Sequence, residues 1–378
     1  MSQVIKGSRE LMHEVIESDL CTMCGACTQM CPYIVNYKGR IVYLDTCDLS
    51  QGSCFAFCPR TSVDLDQISE RVFGTPYQLS ELGTVKYITT ARSTDQHIRS
   101  SAQNGGVVTT LISLALEEGF IDGAVLTYSD ENLLPKGRLF KDNPRNIFEC
   151  AGVNFIASPT LGTFNMTTRG DINKVGVVGT PCQVLALGKM RISPLERMDN
   201  KDNIEKLELV IGLFCNWGLA YADFTSFLKD KIELNRIKKF DIPPPPANIF
   251  VVYTDSGHID IPLDEIRKFI RPTCRYCLDM TNEFADISVG AAEGLDGWNT
   301  TIIRNDKGKD LFEIAKAKGL IEVASLPEAN LIHLKEASLI KKKRAMRNIV
   351  DKSGSKKNLL YLKGSVRKNK ELLSLLSE

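Results

Sequence analysis

Near its start the chain reads Cys21-Thr-Met-Cys24-Gly25-Ala-Cys27-Thr-Gln-Met-Cys31-Pro32. The spacing C-x2-C-x2-C-x3-C-P is typical of bacterial ferredoxins, in which a tight loop directs three thiolates at one iron–sulfur cluster. The fourth cysteine of such a run binds the neighbouring cluster. A structural zinc site is the alternative, but four cysteines at these spacings that end in Cys-Pro favour the cluster. The start of the chain therefore predicts a ferredoxin-like electron-transfer module.

A second run follows and reads Cys47-Asp48-Leu-Ser50-Gln-Gly-Ser-Cys54-Phe-Ala-Phe-Cys58-Pro59. It keeps the terminal C-x3-C-P, but Ser50 stands where another cysteine is expected. Crossed ligation predicts one complete 4Fe-4S site made of Cys21, Cys24, Cys27 and Cys58, and a second site made of Cys31, Cys47 and Cys54. The second site could hold a 3Fe-4S cluster, a 4Fe-4S cluster completed by Asp48, Ser50 or a distant residue, or no cluster.

Composition limits the classes of function. The 378 residues are 43% apolar and carry 47 basic against 46 acidic side chains, which gives no electrostatic footprint for nucleic acid. The N-terminal residues 1–19 fit a short amphipathic helix rather than a secretory signal, and no apolar stretch reaches the roughly 20 residues that a bilayer requires. Twelve cysteines without a signal peptide indicate a reducing compartment, where cysteines bind metals. We expect a cytoplasmic protein without a transmembrane segment.

From about Leu82 the pattern changes to apolar strands that alternate with helical stretches, which predicts an α/β region. The residues Asn104-Gly-Gly106 are expected to open a helix, and Gly123 to Tyr128 to form the next strand. A glycine-opened helix N-terminus presents free N–H groups and suits a phosphate or the edge of an isoalloxazine ring. Such a sequence is also common in simple turns.

Two further predicted strands end at cysteines. Lys174 to Gly179 is followed by Thr180-Pro-Cys182, and Leu207 to Phe214 is followed by Cys215. Ligands in open α/β sheets gather at the carboxyl ends of strands. A later pair, Cys274 and Cys277, could belong to a zinc half-site or a redox dithiol. Together with the two strand-end thiols the pair makes four, the number that a 4Fe-4S cluster requires.

The predicted fold class is α+β or α/β, with three parts. Residues 1–80 form a two-cluster ferredoxin-like module, residues 81–335 a large mixed α/β domain that binds flavin and a cluster, and residues 336–378 a basic helical extension. The basic run Lys341 to Arg344 is expected to be a solvated helix face; docking of an acidic partner is the alternative.

With these motifs in order, the sequence resembles the beta-subunit family of coenzyme F-420-reducing hydrogenases and F-420-linked formate dehydrogenases. Besides the ferredoxin runs, the resemblance rests on seven blocks: Gln103 to Thr109, Glu118 to Gly123, Val178 to Gln183, Gly212 to Cys215, Arg271 to Cys277, Ala285 to Gly290 and Trp298 to Arg304. The blocks span most of the chain.

This resemblance implies a flavoprotein that binds FAD and exchanges hydride with F-420 as its substrate. It also implies two or three clusters that pass single electrons to a partner such as a hydrogenase, formate dehydrogenase or heterodisulfide-reductase-like subunit of anaerobic metabolism. The family's core cluster maps onto Cys182, Cys215, Cys274 and Cys277. The implied flavin contacts are Asn104, Gly105, Gly106, Thr109, Thr180, Gly290, Ala291 and Glu293. Arg304 is a candidate for the acidic tail of F-420, as are Arg92, Arg99 and Lys136.

Two other functions stay open. The same fold could use NAD(P)H or another hydride substrate, or the chain could be a non-catalytic subunit whose clusters only connect two enzymes. The role of Cys150 is also open, because it could be a spare buried thiol or the missing ligand of the second ferredoxin site.

Overall fold

The computed structural model describes residues 5–141, 144–152, 154–167, 172–195, 204–243 and 246–377 of the chain. The architecture is mixed α/β, with a large sheet, a three-stranded sheet and a two-stranded hairpin. The α/β pattern predicted after Leu82 is therefore confirmed.

The strands are numbered β1 to β13 in chain order. They are Ile34–Tyr37, Arg40–Tyr43, Tyr87–Ser93, Gly123–Ser129, Pro135–Phe140, Val175–Gly179, Leu207–Leu213, Ile237–Asp241, Ile249–Thr254, Gly257–Pro262, Ile287–Ala291, Asn299–Ile303 and Ile321–Ala324.

The α-helices of the described residues are numbered α1 to α12. They are Ser8–Leu11, Ser53–Ala56, Leu65–Phe73, Gln96–Ser101, Val107–Glu117, Leu161–Met166, Pro181–Ile192, Tyr221–Lys229, Leu263–Arg267, Asp306–Ala317, Glu328–Ser353 and Val366–Ser374. A π-helical turn spans Met12–Ile16, and 3-10 turns include Pro272–Tyr276. Of all these helices, none combines the length and the apolar character needed to cross a membrane.

The large sheet has the strand order β13-β3-β12-β11-β7-β6-β4-β5. Strands β4, β6, β7 and β11 run parallel to one another. Their sequences are largely continuous apolar runs rather than alternating ones, and all five residues of β6 are buried, as expected for parallel strands covered on both faces. Because parallel strands end at the same edge, the segments after β6, β7 and β11 meet there.

The predicted local elements of this region are confirmed. Residues 123–128 lie in β4, and residues 175–179 form β6 ahead of helix α7. Gly106 is the N-cap of helix α5 at φ +74°, and an added Cβ would lie 2.6 Å from Cγ2 of Ile98. A left-handed backbone and a close neighbour both require glycine there.

The two cysteine runs flank the hairpin β1–β2 and pack directly on the large-sheet region. Gly25 has φ +85°, and an added Cβ would lie 2.3 Å from the carbonyl oxygen of Pro159. The backbone N–H of Leu161 donates to the Cys24 carbonyl at 3.0 Å, and Nδ2 of Asn165 donates to the Thr28 carbonyl at 2.8 Å. The first cysteine loop is thus held by helix α6.

One hydrophobic core joins all three predicted parts of the chain. It includes Ile68 of helix α3, Leu187 of α7, and Met346 and Leu372 of the C-terminal helices. At Gly188 an added Cβ would lie 2.6 Å from Cγ2 of Ile68, so α3 and α7 pack in close contact. The ferredoxin-like range, the sheet and the C-terminal helices share this core.

The basic run on helix α11 is not a solvated face. Lys341 is 3% exposed and Lys342 is fully buried at 0%. The expectation is wrong for these two residues because each has partners inside the protein. Lys342 forms a buried ion pair with Glu283, which also accepts a hydrogen bond of 2.7 Å from the Tyr77 hydroxyl. Lys341 donates to backbone carbonyls, as described below.

We predict that Glu283→Ala lowers the free energy of unfolding by about 3–5 kcal/mol, because it leaves the buried Lys342 ammonium without its anion. Urea unfolding of the anaerobic protein measures the change. The matched control is Asp264→Ala, which breaks the exposed pair of Asp264 with Arg267 and should cost at most about 1 kcal/mol. An equal loss in the two variants would contradict the anchoring role of this pair.

Candidate redox site

The first cysteine group is the predicted complete ferredoxin site. Its four thiols, from Cys21, Cys24, Cys27 and Cys58, line one small cavity together with apolar side chains such as Leu11. Burial raises the pKa of each of these thiols, that of Cys58 to about 11. The loops thus place four cysteine sulfurs, two of them on buried and two on half-buried residues, around a common space.

The second group holds the three remaining ferredoxin cysteines. Cys31, Cys47 and Cys54 line a neighbouring cavity, which Cys27 also borders. The Asp48 carboxylate pairs with Arg9 at 2.9 Å, and its side chain is 91% exposed. Neither Asp48 nor Ser50 lines this cavity.

The hydroxyl-bearing residues that do line the second cavity are Ser8, Tyr33 and Ser53. A fourth ligand from Asp48 or Ser50, as the sequence suggested, would need a different side-chain arrangement. The structure therefore brings three predicted thiols together and places three other hydroxyl-bearing residues beside them.

The third group lies at the edge of the large sheet. Cys182 occupies the first turn of α7, Cys215 follows β7, and Cys274 and Cys277 lie in and just after the 3-10 turn Pro272–Tyr276. The Cys182 sulfur lies 3.3 Å from the Thr180 hydroxyl, and the Cys274 sulfur accepts the backbone N–H of Gly218 at 3.3 Å. Burial raises the pKa of Cys215, and the nearby Cys274, Cys182 and Cys277 raise it further. All four predicted core cysteines are neighbours.

The core group and the complete ferredoxin group are adjacent. Burial raises the pKa of Cys24 most, and the neighbouring Cys182 raises it further. The segment that carries Cys274 also holds the first cysteine loop, since the Arg271 guanidinium donates to the Cys21 carbonyl at 2.7 Å and the Thr273 hydroxyl donates to the Leu20 carbonyl at 2.6 Å. Cys27 borders both ferredoxin cavities. The core group, the complete ferredoxin group and the group of Cys31, Cys47 and Cys54 therefore follow one another in space.

Three buried cations lie among these groups. Arg60, Lys189 and Lys341 are 4%, 2% and 3% exposed. Within the described part of the chain none of them forms an ion pair with a carboxylate. Burial lowers the pKa of Lys189 to about 7, although Cys58 and Cys24 act to raise it, so this lysine is fully charged at neutral pH only beside an anion. A buried positive charge is unfavourable unless an anion is near, and thiols of the cysteine groups lie near all three cations.

These features fit anionic iron–sulfur clusters. The thiols of each ferredoxin group line a common cavity, as the ligands of one bound group would, and across the described ranges no three His, Cys, Asp or Glu side chains approach closely enough to hold a single metal ion. Cysteine thiolates are the ordinary ligands of such clusters, and the clusters carry net negative charge. The unpaired cations would balance that charge.

The predicted flavin loops also meet at the sheet edge, through a residue that sequence reasoning missed. The Asn299 side chain accepts the backbone N–H of Val107 at 3.3 Å and donates to the Gly290 carbonyl at 3.1 Å. It therefore joins the Asn104 to Gly106 turn to the end of β11. Thr180 follows β6 at the same edge, one strand beyond β7.

Most of the predicted flavin-binding residues are accessible at this edge of the sheet. Asn104, Thr109, Thr180 and Gly290 are half-buried, and Ala291 and Glu293 are exposed, whereas Gly105 and Gly106 are buried. An added Cβ at Gly105 would lie 2.8 Å from Oδ1 of Asn299, so packing within the protein already requires this glycine.

Arg304 has a structural role instead of the predicted cofactor contact. It is 1% exposed, and its Nε donates to the Ser288 hydroxyl at 2.6 Å. Its remaining donors bind the carbonyls of Leu82 and Thr84 and both oxygens of Thr281. All five N–H groups are used, so the structure contradicts a contact with a cofactor.

The other proposed basic residues also have partners. Arg92 pairs with Glu322 at 2.6 Å and lies 4.6 Å from the centre of the Trp298 ring, Arg99 donates to the Ser93 carbonyl, and Lys136 pairs with Asp130. Of Arg92, Arg99 and Lys136, only Arg92 contacts Trp298.

Cys150 lies apart from the three groups. It packs on the hydrophobic cluster between α5 and the large sheet, and burial raises its pKa to about 12. No other cysteine affects that pKa. The arrangement supports the interpretation of Cys150 as a spare thiol rather than as the missing ligand.

Comparisons with known protein families match two consecutive parts of the chain. Residues 88–165 match the family described as coenzyme F-420 hydrogenase/dehydrogenase, beta subunit, N-terminal region, and residues 172–329 match the corresponding C-terminal region.

Individual relatives agree with these matches. The chain is 34% identical over 250 residues to the beta subunit of coenzyme F-420 hydrogenase from Methanosarcina barkeri, with 64% of this chain and 84% of the relative covered. It is 31% identical over 339 residues to the coenzyme F-420-dependent sulfite reductase of Methanocaldococcus jannaschii, with 86% of this chain and 51% of the relative covered. A chain from the F-420-reducing NiFe hydrogenase complex of Methanosarcina barkeri superposes with a TM-score of 0.67 at 31% identity, covering 72% of this chain and 95% of that chain.

We predict that Cys58→Ser and Cys182→Ser each lower the iron content of the anaerobically purified protein by about four atoms, from an expected parental content of about 11 or 12. Each change removes one thiolate of a four-thiolate group. Iron and acid-labile sulfide analysis measures the loss. Cys150→Ser is the matched control and should keep the parental content. Parental iron in the Cys58 or Cys182 variant would contradict that group's assignment.

Proposed function

Because the chain belongs to the coenzyme F-420 hydrogenase/dehydrogenase beta-subunit family, whose relatives are subunits of oxidoreductases, we propose that it exchanges hydride between F-420 and bound FAD. We propose further that it passes single electrons through iron–sulfur clusters to a partner redox subunit. The observation that carries this proposal is the series of three cysteine groups with buried cations that lack carboxylate partners in the described chain.

FAD would supply the conversion between two-electron and one-electron chemistry, since F-420 exchanges hydride and a cluster carries one electron. The residues proposed to hold it are Asn104, Thr109 and Thr180 with the loop from Gly290 to Glu293. Helix α5 directs its N-terminus, the positive end of its dipole, toward this edge, which favours an anionic group such as a phosphate. Asn299 would fix the two glycine loops relative to each other.

The proposed order of electron transfer follows the spatial order of the cysteines. The core group shares the sheet edge with the flavin loops, and Cys182 neighbours Cys24 of the complete ferredoxin group. The Cys31, Cys47 and Cys54 group then lies farthest along the series.

The second ferredoxin cavity is the proposed exit to the partner. Its lining includes Tyr33 and Leu49, which are 37% and 49% exposed. Two more exposed apolar side chains, Tyr37 and Leu44, lie on or next to the neighbouring hairpin. Grouped apolar side chains at a surface favour protein docking. The proposed partner is a hydrogenase, formate dehydrogenase or heterodisulfide-reductase-like subunit.

We predict about one FAD per chain and rapid bleaching of its absorbance when reduced F-420 is added to the anaerobic protein, whereas NADH leaves the spectrum unchanged. Extraction with chromatography identifies the flavin, and rapid-mixing absorbance follows its reduction. Bleaching by NADH alone would identify a nicotinamide-dependent enzyme. Absence of flavin from fully iron-loaded protein would leave only the role of an electron-wiring subunit.

We predict that the double variant Cys274→Ser/Cys277→Ser keeps flavin reduction by F-420 but loses reduction of the ferredoxin clusters. The combined substitution of Cys31, Cys47 and Cys54 by serine should instead spare both steps and abolish transfer to the partner. Substitution suits this test better than deletion of residues 1–60, because residues such as Phe57 contribute to the shared core. Parental rates of ferredoxin-cluster reduction in the Cys274/Cys277 variant would contradict the order.

A further inference from the structure

We propose that Lys189, Lys341 and Arg60 are fixed positive charges that set the reduction potentials of the two inner clusters, with Lys189 acting on the complete ferredoxin cluster, Lys341 on the core cluster and Arg60 on both. This inference rests on the proposed cluster sites. The three are positioning residues, since their nitrogens bind backbone and hydroxyl groups around the cysteines rather than a substrate.

Lys189 is attached to the complete ferredoxin group. It projects from helix α7, and its Nζ donates to the Cys58 carbonyl at 2.8 Å and to the Thr61 hydroxyl at 2.5 Å. The Thr61 hydroxyl also lies 2.9 Å from the same Cys58 carbonyl. This small network fixes the ammonium beside the backbone of a proposed ligand, inside the protein.

Lys341 has the equivalent position at the core group. Its Nζ donates to the Cys215 carbonyl at 2.5 Å and to the Asp279 carbonyl at 2.7 Å. The charge of Lys341 lowers the pKa of Cys215 and Cys274, although burial keeps both raised. It comes from helix α11, whereas the cysteines belong to other segments, so no sequence motif joins them.

Arg60 lies between the two groups. Its Nε donates to the Thr273 hydroxyl at 3.0 Å, next to Cys274 in the chain, and its guanidinium stacks on the Tyr361 ring at 4.5 Å. It follows Cys58 by two residues, and its charge acts on Cys58 and Cys21 as well as on Cys182 and Cys274. The charge of Arg60 can therefore stabilise an added electron on either the core cluster or the complete ferredoxin cluster.

The physical reason is electrostatic. Reduction adds negative charge to a cluster, and a nearby positive charge in a poorly solvated interior stabilises the reduced state. Neutralising Lys189 or Lys341 should lower the reduction equilibrium constant of the one cluster that it faces and leave the other nearly unchanged, whereas neutralising Arg60 should lower both.

The test uses anaerobically purified, cluster-loaded full-length variants and redox titrations followed by electron paramagnetic resonance. Signals are assigned with the Cys58→Ser and Cys182→Ser variants. Lys341→Met should lower the equilibrium constant for reduction of the core cluster about ten-fold, which is 59 mV for one electron. Lys189→Met should do the same for the ferredoxin cluster alone, and Arg60→Met should lower both.

Charge-preserving variants separate electrostatics from packing. Lys341→Arg, Lys189→Arg and Arg60→Lys should keep parental potentials, as should Lys335→Met, which removes an exposed lysine from the same helix as Lys341. Loss of a cluster in a Met variant but not in its charge-preserving counterpart would also support the proposal, because the cation is then needed to hold the anionic group.

Unchanged potentials in Met variants that retain their clusters would overturn the inference and leave the proposed function intact. Cluster loss in both the Met and the charge-preserving variants would overturn it too, since packing would explain the effect. A parental protein without clusters would overturn the inference together with the proposed function.

Discussion

A positive charge buried away from water requires an anion nearby, and this constraint explains much of how the molecule is arranged. Arg60, Lys189 and Lys341 come from three distant segments and converge on the cysteines rather than on carboxylates of the described chain. Each is fixed by carbonyl and hydroxyl groups that leave its charge uncompensated. The thiols and the cations are therefore complementary parts of one site.

The same electrostatic constraint positions helix α11. Two adjacent lysines on this helix point into the protein, where Lys342 binds Glu283 and Lys341 reaches the backbone beside Cys215. Docking of the helix and placement of a positive charge beside the core cysteines are thus a single packing event. The shared hydrophobic core, with Met346 on the same helix, makes that event cooperative with folding of the sheet.

Sequence reasoning predicted the parts that depend on local pattern. The cysteine spacings predicted two groups that the structure gathers around separate cavities, and the strand patterns ending at Cys182 and Cys215 predicted that these thiols meet at one sheet edge. Strand register and the common edge of parallel strands are enough for that prediction.

The parts that depend on distant partners could not be predicted from the sequence. Lys341 and Lys342 belong to a run of four basic residues, and such runs are usually exposed; their burial depends on carbonyls and a carboxylate about 60 to 130 positions away. Arg304 looked like a ligand-binding arginine because its five structural acceptors belong to segments 16 to 222 positions away in the chain. The contact of Gln103 with the three-stranded sheet β8–β10 was likewise not predictable from any motif. The Gln103 side chain donates to Asp241, at the end of β8, at 3.0 Å.

The unequal ferredoxin groups are consistent with electron flow toward the surface. Three thiolates contribute less negative charge than four, and solvent near the second cavity stabilises added negative charge, so both effects favour reduction of the outer cluster. Arg60, Lys189 and Lys341 all lie at the two inner groups, where the absence of water would otherwise oppose reduction most strongly. Fixed positive charges therefore favour reduction of the two proposed inner clusters, and solvent favours reduction of the proposed outer cluster. Each proposed cluster in the series can then accept an electron.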